Sequence, residues 1–370
     1  MPILQSLQSL QSLQSLQSLQ SLQSLQSLQS LGASATASAT GRIMARDGIS
    51  GVWQDVTPQQ PREFGVPDNL QAWGSPSQQV ILANEVLSRV TYGADLASQT
   101  CNIYALDIVD ASGPAPSVGI NAMAHFSAPT PEDFVAQARL VHDYADLRID
   151  RMVEISDQTG GIFGYFAPLL PVQPAQMPHT MALVQLAMDC ALHMAQQVKQ
   201  TLACRRPDAV SAQIQPIIAT PSHASLPSGH ATEAFAVAET LRQLIPDHRK
   251  ASGLDSQLIQ MAARIAANRT VAGVHFPVDS FAGAMLGFCV ADLIATRSGQ
   301  ATGVTPSRFT GAGAGTIDFF TSQVWQNGVR QSVTTDDGAT LTENLPGLAT
   351  TDRSDLLLSV WNQAAAEWEQ

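Results

Sequence analysis

Residues 226–231 read Leu-Pro-Ser-Gly-His-Ala, and apolar residues recur at helical spacing from residue 234 to residue 241. Ser228 is a preferred residue at a helix start, so the pattern predicts a buried helix over residues 229–244. The first N–H groups of a helix are unpartnered and carry partial positive charge, which favours an anion. Gly229 allows close backbone approach, and His230 adds a titratable ring. Taken alone, the stretch fits either an anion pocket or a capped helix with a surface histidine.

Upstream, Lys199 and Arg206 are seven residues apart, and Pro207 follows them. Seven residues make nearly two helical turns, so both cations are expected on one face of a helix predicted over residues 180–205. Two cations that reach one place repel each other. Their placement is therefore favourable only when an anion or carboxylate lies between them. A solvated basic face at a helix C-terminus is the alternative interpretation.

Downstream, Arg269 is predicted near the end of one helix and His275 just before the next. Asp279 is four residues beyond His275, so its carboxylate can reach the imidazole across about one helical turn. A carboxylate on one ring nitrogen fixes the tautomer and makes the other nitrogen a better nucleophile or metal ligand. A purely structural His–Asp pair at a helix cap is the alternative.

Taken together and in this order, the three motifs resemble the signature of the vanadium haloperoxidase and type-2 phosphatidic acid phosphatase superfamily. That signature is K-x-x-x-x-x-x-R-P, then P-S-G-H, then S-R-x-x-x-x-x-H-x-x-x-D, and the chain departs from it where Asn268 replaces serine. The resemblance covers roughly residues 199–279. With the helical patterns along the chain, it implies a mainly α fold, an irregular helical bundle.

The resemblance also implies roles for the motif residues. A tetrahedral oxyanion, vanadate or phosphate, would be held by cations and neutral donors from Lys199, Arg206, Arg269, Ser228 and Gly229. His275 would bond to the central vanadium or phosphorus atom, and His230 would act as acid and base. Asp279 would orient His275. Preorganised cations and N–H donors of this kind can replace the water around a multiply charged anion.

Two reactions fit such a site. The main interpretation is a vanadium-dependent haloperoxidase that oxidises halide, bromide rather than chloride, with hydrogen peroxide and a small organic acceptor. It is favoured by the long stretch before the first motif (residues 44–198), by the absence of an export signal, and by His223. Bromoperoxidases carry histidine at this place, seven residues before His230, whereas a chloroperoxidase carries phenylalanine. The alternative is a soluble acid phosphatase that hydrolyses phosphomonoesters through a phosphohistidine. A non-catalytic relative that binds phosphate is a third possibility.

Composition limits the partners. The net charge of -12 and the isoelectric point of about 4.9 argue against nucleic acid and anionic membranes as partners. The most apolar windows, residues 181–198 and 281–295, contain charged side chains and are predicted to be buried helices rather than membrane spans. A cytoplasmic location is expected from the missing export signal. The haloperoxidase resemblance allows a homo-oligomer.

The domain prediction has two parts. Residues 1–43 contain a Leu-Gln-Ser repeat and a linker, and they are predicted to be a low-complexity extension outside the fold. Residues 44–370 are predicted to form one helical catalytic domain, with helices near residues 77–92, 130–158, 256–269, 277–296 and 352–369 and few strands. The four cysteines form no C-x-x-C pair; buried thiols are the preferred interpretation over two disulfides.

Overall fold

A computed structural model describes residues 39–46, 48, 51, 55, 57–58, 62–95, 97–110, 117–250, 252–349 and 352–369. Residues 1–38 of the predicted low-complexity extension lie outside the described residues, so the prediction about them stays a prediction. The chain divides into two compact units, Met1–Val80 and Ile81–Gln370. All the predicted site residues belong to the second unit.

Most of the regular structure is helical, as predicted. The helices of two turns or more in the described ranges are α1 (Ala39–Arg46), α2 (Ser75–Leu87), α3 (Pro131–Asp143), α4 (Arg148–Gly160), α5 (Pro178–Leu202), α6 (Gly229–Leu244), α7 (Leu254–Val271), α8 (Pro277–Arg297) and α9 (Asp355–Glu367). Single-turn helices lie at Phe163–Phe166, Pro207–Val210, Asp247–Lys250 and Thr321–Val324, and 3-10 turns at Pro67–Ala72, Tyr144–Leu147, Ala167–Leu169 and Pro174–Gln176. The one long helix expected over residues 130–158 is in fact two, because the turn Tyr144–Leu147 interrupts it.

The described region also contains a six-stranded sheet, so the expectation of few strands was wrong. Its strands are β1 (Val90–Asp95), β2 (Thr100–Asp110), β3 (Ser117–Ser127), β5 (Ser307–Thr310), β8 (Val333–Thr334) and β9 (Thr340–Asn344). They pair in the order β1-β2-β3-β5-β9-β8. Two small ladders join β4 (Gly303–Val304) to β10 (Leu348–Ala349) and β6 (Trp325–Gln326) to β7 (Val329–Arg330).

One part of this sheet carries a local signal that sequence analysis overlooked, and another part does not. In β3, apolar residues stand at every second position from Val118 to Phe126, the alternation expected of a strand, although the first half of the strand is largely exposed. Its partner β5 has four residues and lies about 180 positions further along the chain, where Phe126 pairs with Phe309 in parallel register. Such long-range pairing leaves no local pattern.

The core is built around α8, every residue of which is buried. Helix α6 packs on α8 and also contacts α5 and α7. Helix α8 is the one helix in the described part of the chain that is long and apolar enough to cross a membrane. A fully buried core helix passes the same test, so this helix is weak evidence for a membrane. The four cysteines are free and buried, as expected.

Two glycines let α6 and α8 approach closely. A Cβ atom on Gly283 would lie 2.7 Å from the Cβ of Ala231, and one on Gly287 would lie 2.6 Å from the carbonyl oxygen of Thr232. Real Cβ atoms essentially never come this near, so any larger side chain would push the helices apart. The same contact fixes the start of α6 against the start of α8, where Ser228 N–H donates to the carbonyl of Asp279 at 3.0 Å.

We predict that Gly287→Ala lowers the free energy of unfolding by about 2 kcal/mol or more, because the added methyl group overpacks a backbone contact. Urea denaturation measures the change. Gly164→Ala is the matched control: a Cβ atom there meets nothing within 4 Å, so its effect should stay within about 0.5 kcal/mol. Equal stability of the two variants would show that the helices do not require this close approach.

Candidate anion-binding site

Lys199 and Arg206 converge, but not in the way that the sequence suggested. Helix α5 does not continue to residue 205; it ends before Ala203, which has a left-handed φ of 51°. The two cations therefore do not share a helical face. The reversal of the chain at Ala203 instead brings both to the carbonyl oxygen of Ala224, to which Lys199 Nζ donates at 2.8 Å and Arg206 Nη2 at 3.4 Å.

Backbone carbonyls hold these two cations in place. Lys199 Nζ also donates to the carbonyl of Ser225 at 2.7 Å. Arg206 Nε donates to the carbonyl of His223 at 3.0 Å, and Nη1 donates to the carbonyl of Val274 at 2.7 Å. Neutral acceptors fix the positions of both side chains but bring no negative charge into contact with them.

Arg269 lies on the last turn of α7. Its Nη2 donates to the carbonyl of Ile155 at 3.2 Å and to Oε1 of Gln158 at 2.7 Å, both from α4. Its Nε and Nη1 atoms are buried and have no partner. Buried guanidinium donors normally find an acceptor, so these two indicate where a ligand oxygen belongs.

All three cations are at most 5% exposed. Within the described residues, none of them forms an ion pair with a carboxylate. Burial, together with the charge of Arg206, lowers the pKa of Lys199 to about 7. Burial also lowers the pKa values of Arg206 and Arg269 to about 10. An unpaired buried charge costs several kcal/mol, about the penalty that a bound anion would offset.

His275 and Asp279 form the expected pair. Asp279 Oδ2 accepts from His275 Nδ1 at 2.9 Å, and it also accepts from Ser225 Oγ and from the N–H of Phe276 at 3.1 Å. The pair fixes the tautomer with the proton on Nδ1, so Nε2 carries a lone pair. Arg206 Nη1 lies 3.2 Å from that Nε2 atom.

Charge and burial keep this imidazole neutral. Burial lowers the pKa of His275 well below its usual range, and the charges of Arg206 and Lys199 lower it further. Burial raises the pKa of Asp279 to about 6. At neutral pH the site therefore presents an unprotonated Nε2 atom beside a carboxylate that is largely ionised.

His230 takes its orientation from α4. Its Nε2 lies 3.1 Å from the main-chain carbonyl of Gln158, which can only accept, so Nε2 carries the proton and Nδ1 is free as an acceptor. Burial lowers the pKa of His230 to about 3, and the charges of Arg269, Lys199 and Arg206 contribute. The three cations thus act on the same ring.

The start of α6 leaves room for a ligand. Ser228 caps the helix, with its Oγ accepting from the N–H of Ala231 at 3.4 Å. A Cβ atom on Gly229 would meet no atom within 4 Å, so the space in front of the first turn is open. A tetrahedral oxyanion fits this arrangement, because its oxygens can accept hydrogen bonds from the helix N–H groups and from the unpaired guanidinium donors.

His223 lies at the edge of the cluster. Its Nδ1 is 3.2 Å from Arg206 Nη2, while much of the residue is exposed. Partial burial and the charge of Lys199 lower the pKa of His223 to about 4, and Arg206 adds to this effect. Its neutral ring can therefore accept a hydrogen bond from Arg206 at physiological pH.

Sequence analysis missed Gln158, which connects two site residues. Its backbone carbonyl holds His230, and its Oε1 accepts from Arg269 and, at 3.2 Å, from Asn268 Nδ2. Asn268, which departs from the signature, also accepts from Arg151 Nη1 at 3.1 Å. Asparagine therefore links a second basic side chain to Gln158. No local motif marks Gln158, which lies far upstream in α4.

A further arginine fixes the loop between Arg269 and His275. Arg148 donates from Nε to the carbonyl of Val271 at 3.0 Å, and from Nη2 to the carbonyl of Ile214 at 2.8 Å. Gly273, at φ 85°, turns the chain directly against this guanidinium. The hydrogen bonds from Arg148 hold the turn at Gly273, which lies between Arg269 and His275 in the chain.

Comparison with known proteins gives a family match for the part of the chain that contains the motifs. Residues 178–301 match the family model described as PAP2 superfamily. A crystal structure of a transmembrane PAP2 type phosphatidylglycerolphosphate phosphatase from Bacillus subtilis is similar at 18% identity, covering 43% of this chain and 92% of that chain. The TM-score of this match is 0.27. No curated protein matches the chain.

We predict that Gln158→Glu weakens sulfate binding by about tenfold or more, because the new carboxylate compensates the charge of Arg269. Isothermal titration calorimetry measures the affinity. Gln213→Glu adds the same charge at an exposed position and should change the affinity by less than about twofold. If both variants bind sulfate as the wild type does, sulfate affinity does not depend on a neutral side chain beside Arg269.

We also predict that sulfate affinity falls as the pH rises from 7.5 to 9. Sulfate keeps its charge over this range, whereas Lys199, with a pKa of about 7, loses its proton. The fall should approach about tenfold per pH unit, because one proton is linked to binding. Lys199→Arg keeps a charge at this place and should remove most of the fall. An equal fall in both proteins would assign the effect to another group.

Proposed function

We propose that this protein is a phosphatase that hydrolyses a phosphate monoester through His275, and the match of residues 178–301 to the PAP2 superfamily model supports the proposal. The observation that carries the proposal is the cluster of three buried cations without carboxylate partners beside a neutral, oriented imidazole. Such a cluster is costly in the free protein and complementary to a dianion. The cation cluster fits phosphate and vanadate alike. Phosphate ester hydrolysis is nevertheless preferred over halide oxidation, which reverses the order inferred from sequence, because the family model that matches residues 178–301 is described as PAP2 superfamily.

In this proposal the phosphoryl oxygens accept hydrogen bonds from Lys199, Arg206 and Arg269. The unpaired Nε and Nη1 atoms of Arg269 gain acceptors. Ser228 and the N–H of Gly229 add neutral donors at the start of α6. Because all these groups are positioned before the substrate arrives, they stabilise the charge of the transition state without reorganising.

His275 Nε2 is the nucleophile. Its lone pair forms a bond to phosphorus while the bond between phosphorus and the ester oxygen breaks, and the electron pair leaves with that oxygen. The ring becomes cationic as the N–P bond forms, and Asp279, 2.9 Å from Nδ1, stabilises that charge. Arg206 Nη1, now near Nε2, moves its hydrogen bond to a phosphoryl oxygen.

His230 supplies the proton for the leaving alcohol. In the free site burial and three cations hold its pKa near 3. A bound dianion offsets those cations, so the pKa rises and Nδ1 takes up a proton as the substrate binds. That proton passes to the leaving oxygen. The neutral ring then accepts a proton from the water that attacks the phosphohistidine, which releases phosphate and restores His275.

A second candidate is the haloperoxidase reaction, favoured by the contact of His223 with Arg206. Vanadate has the shape and charge of phosphate, so the residues that would hold phosphate fit vanadate as well, with His275 as its protein ligand. Bound vanadate supplies a Lewis acid that activates hydrogen peroxide for oxygen transfer to a halide. His223 would then adjust the hydrogen bonds that Arg206 donates at the site, with bromide as the expected halide.

We predict that the purified protein releases phosphate from p-nitrophenyl phosphate and that orthovanadate inhibits this activity. His275→Ala should lower kcat by on the order of a thousandfold or more, because the nucleophile is lost. His193→Ala, which removes an exposed histidine of α5, should keep kcat within about twofold. Vanadate-dependent bromination of monochlorodimedone without phosphate release would contradict the phosphatase proposal and support the second candidate.

A further inference from the structure

A cavity of about 710 Å³ adjoins the anion site, and Lys199 and Arg206 line both. Cavities of about 300–1,000 Å³ accommodate small organic ligands. The phosphate of an ester held by these two cations would lie next to this space. The cavity thus offers room for the organic part of such an ester on the Lys199 and Arg206 side of the site, while His230 and His275 lie outside its lining.

The cavity wall combines small apolar residues with polar side chains, and among the described residues no large apolar side chain lines it. Its neutral hydrogen-bonding side chains are Gln196, Gln200, Thr220 and Ser222, and its apolar members are only alanine, proline and cysteine. Amides and hydroxyls each donate and accept, which suits a ligand with several hydroxyl groups. An alkyl or acyl chain needs a wall of large apolar side chains, because its binding depends on removing apolar surface from water.

One acceptor in this wall lacks a donor. Asp208 Oδ2 accepts from Thr220 Oγ1 at 2.8 Å, whereas Asp208 Oδ1 is buried without a hydrogen-bond partner. A buried carboxylate oxygen without a donor destabilises the free protein, because it has lost its water without gaining a hydrogen bond. A ligand hydroxyl is a donor that would satisfy this oxygen.

We propose that the cavity binds a hydroxyl-rich group of the carbohydrate or polyol type, with Asp208 accepting from one of its hydroxyls. The ester is thus a sugar or polyol phosphate rather than a lipid phosphate. This inference rests on the proposed phosphatase function, and it adds the class of the organic group. Gln200, on α5 beside Lys199, contributes an amide to the same wall.

The test compares two esters of equal carbon number, sorbitol 6-phosphate and n-hexyl phosphate. The wild type should hydrolyse the sorbitol ester with a kcat/KM at least about tenfold higher, since several of its hydroxyls can form hydrogen bonds that the hexyl chain cannot form. Gln200→Leu and Asp208→Asn should each reduce that ratio by about three- to tenfold. Gln197→Leu makes the same change on α5 outside the cavity lining and should leave the ratio unchanged.

The inference is overturned if hexyl phosphate is hydrolysed as well as sorbitol 6-phosphate, or if Gln200→Leu behaves like Gln197→Leu. Calorimetry on His275→Ala separates this outcome from failure of the proposed function. If the wild type hydrolyses neither ester, the phosphatase proposal fails. The cavity assignment then stands only if sorbitol 6-phosphate binds His275→Ala at least about tenfold more tightly than inorganic phosphate does, and equal affinities overturn it.

Discussion

Three cations buried without a carboxylate partner are the constraint on which the rest of the structure depends. Lys199, Arg206 and Arg269 are held by carbonyl groups and one amide, which fix geometry without cancelling charge. Keeping such charges out of water costs several kcal/mol each unless an anion joins them. The lowered pKa values of Lys199 and of the histidines are consequences of the same field. The free site therefore carries excess positive charge, which the proposed oxyanion would offset.

The scaffold serves this arrangement by bringing distant segments together. Close packing of α6 on α8 through Gly283 and Gly287 places the open start of α6 beside the His275–Asp279 pair. Arg148, at the start of α4, pins the turn between Arg269 and His275. Near the end of α4, Gln158 holds Arg269 with its side chain and His230 with its main chain. One helix outside the matched segment 178–301 thus orients residues inside it.

The helices of the core were predicted well from sequence alone, because their apolar spacing and their capping residues are local features. The helix expected over residues 229–244 is found with those bounds, and Ser228 caps it. The spacing between His275 and Asp279 also predicted their contact. The convergence of Lys199 and Arg206 was expected for the wrong reason, since a left-handed residue at Ala203 ends the helix between them. No local pattern encodes that reversal.

The pairing of β3 with β5 and the role of Gln158 were missed because both depend on partners far away in sequence. Strand β3 pairs with a strand about 180 residues further along the chain, and Gln158 gains its importance only through contacts with α6 and α7.

We propose that the three cations and His275 together bind one oxyanion. A crystal structure with orthovanadate tests it most directly. We expect vanadium bonded to His275 Nε2, with its oxygens accepting from Lys199, Arg206 and Arg269. Vanadate bound elsewhere, or His275 Nε2 still in contact with Arg206, would contradict the account.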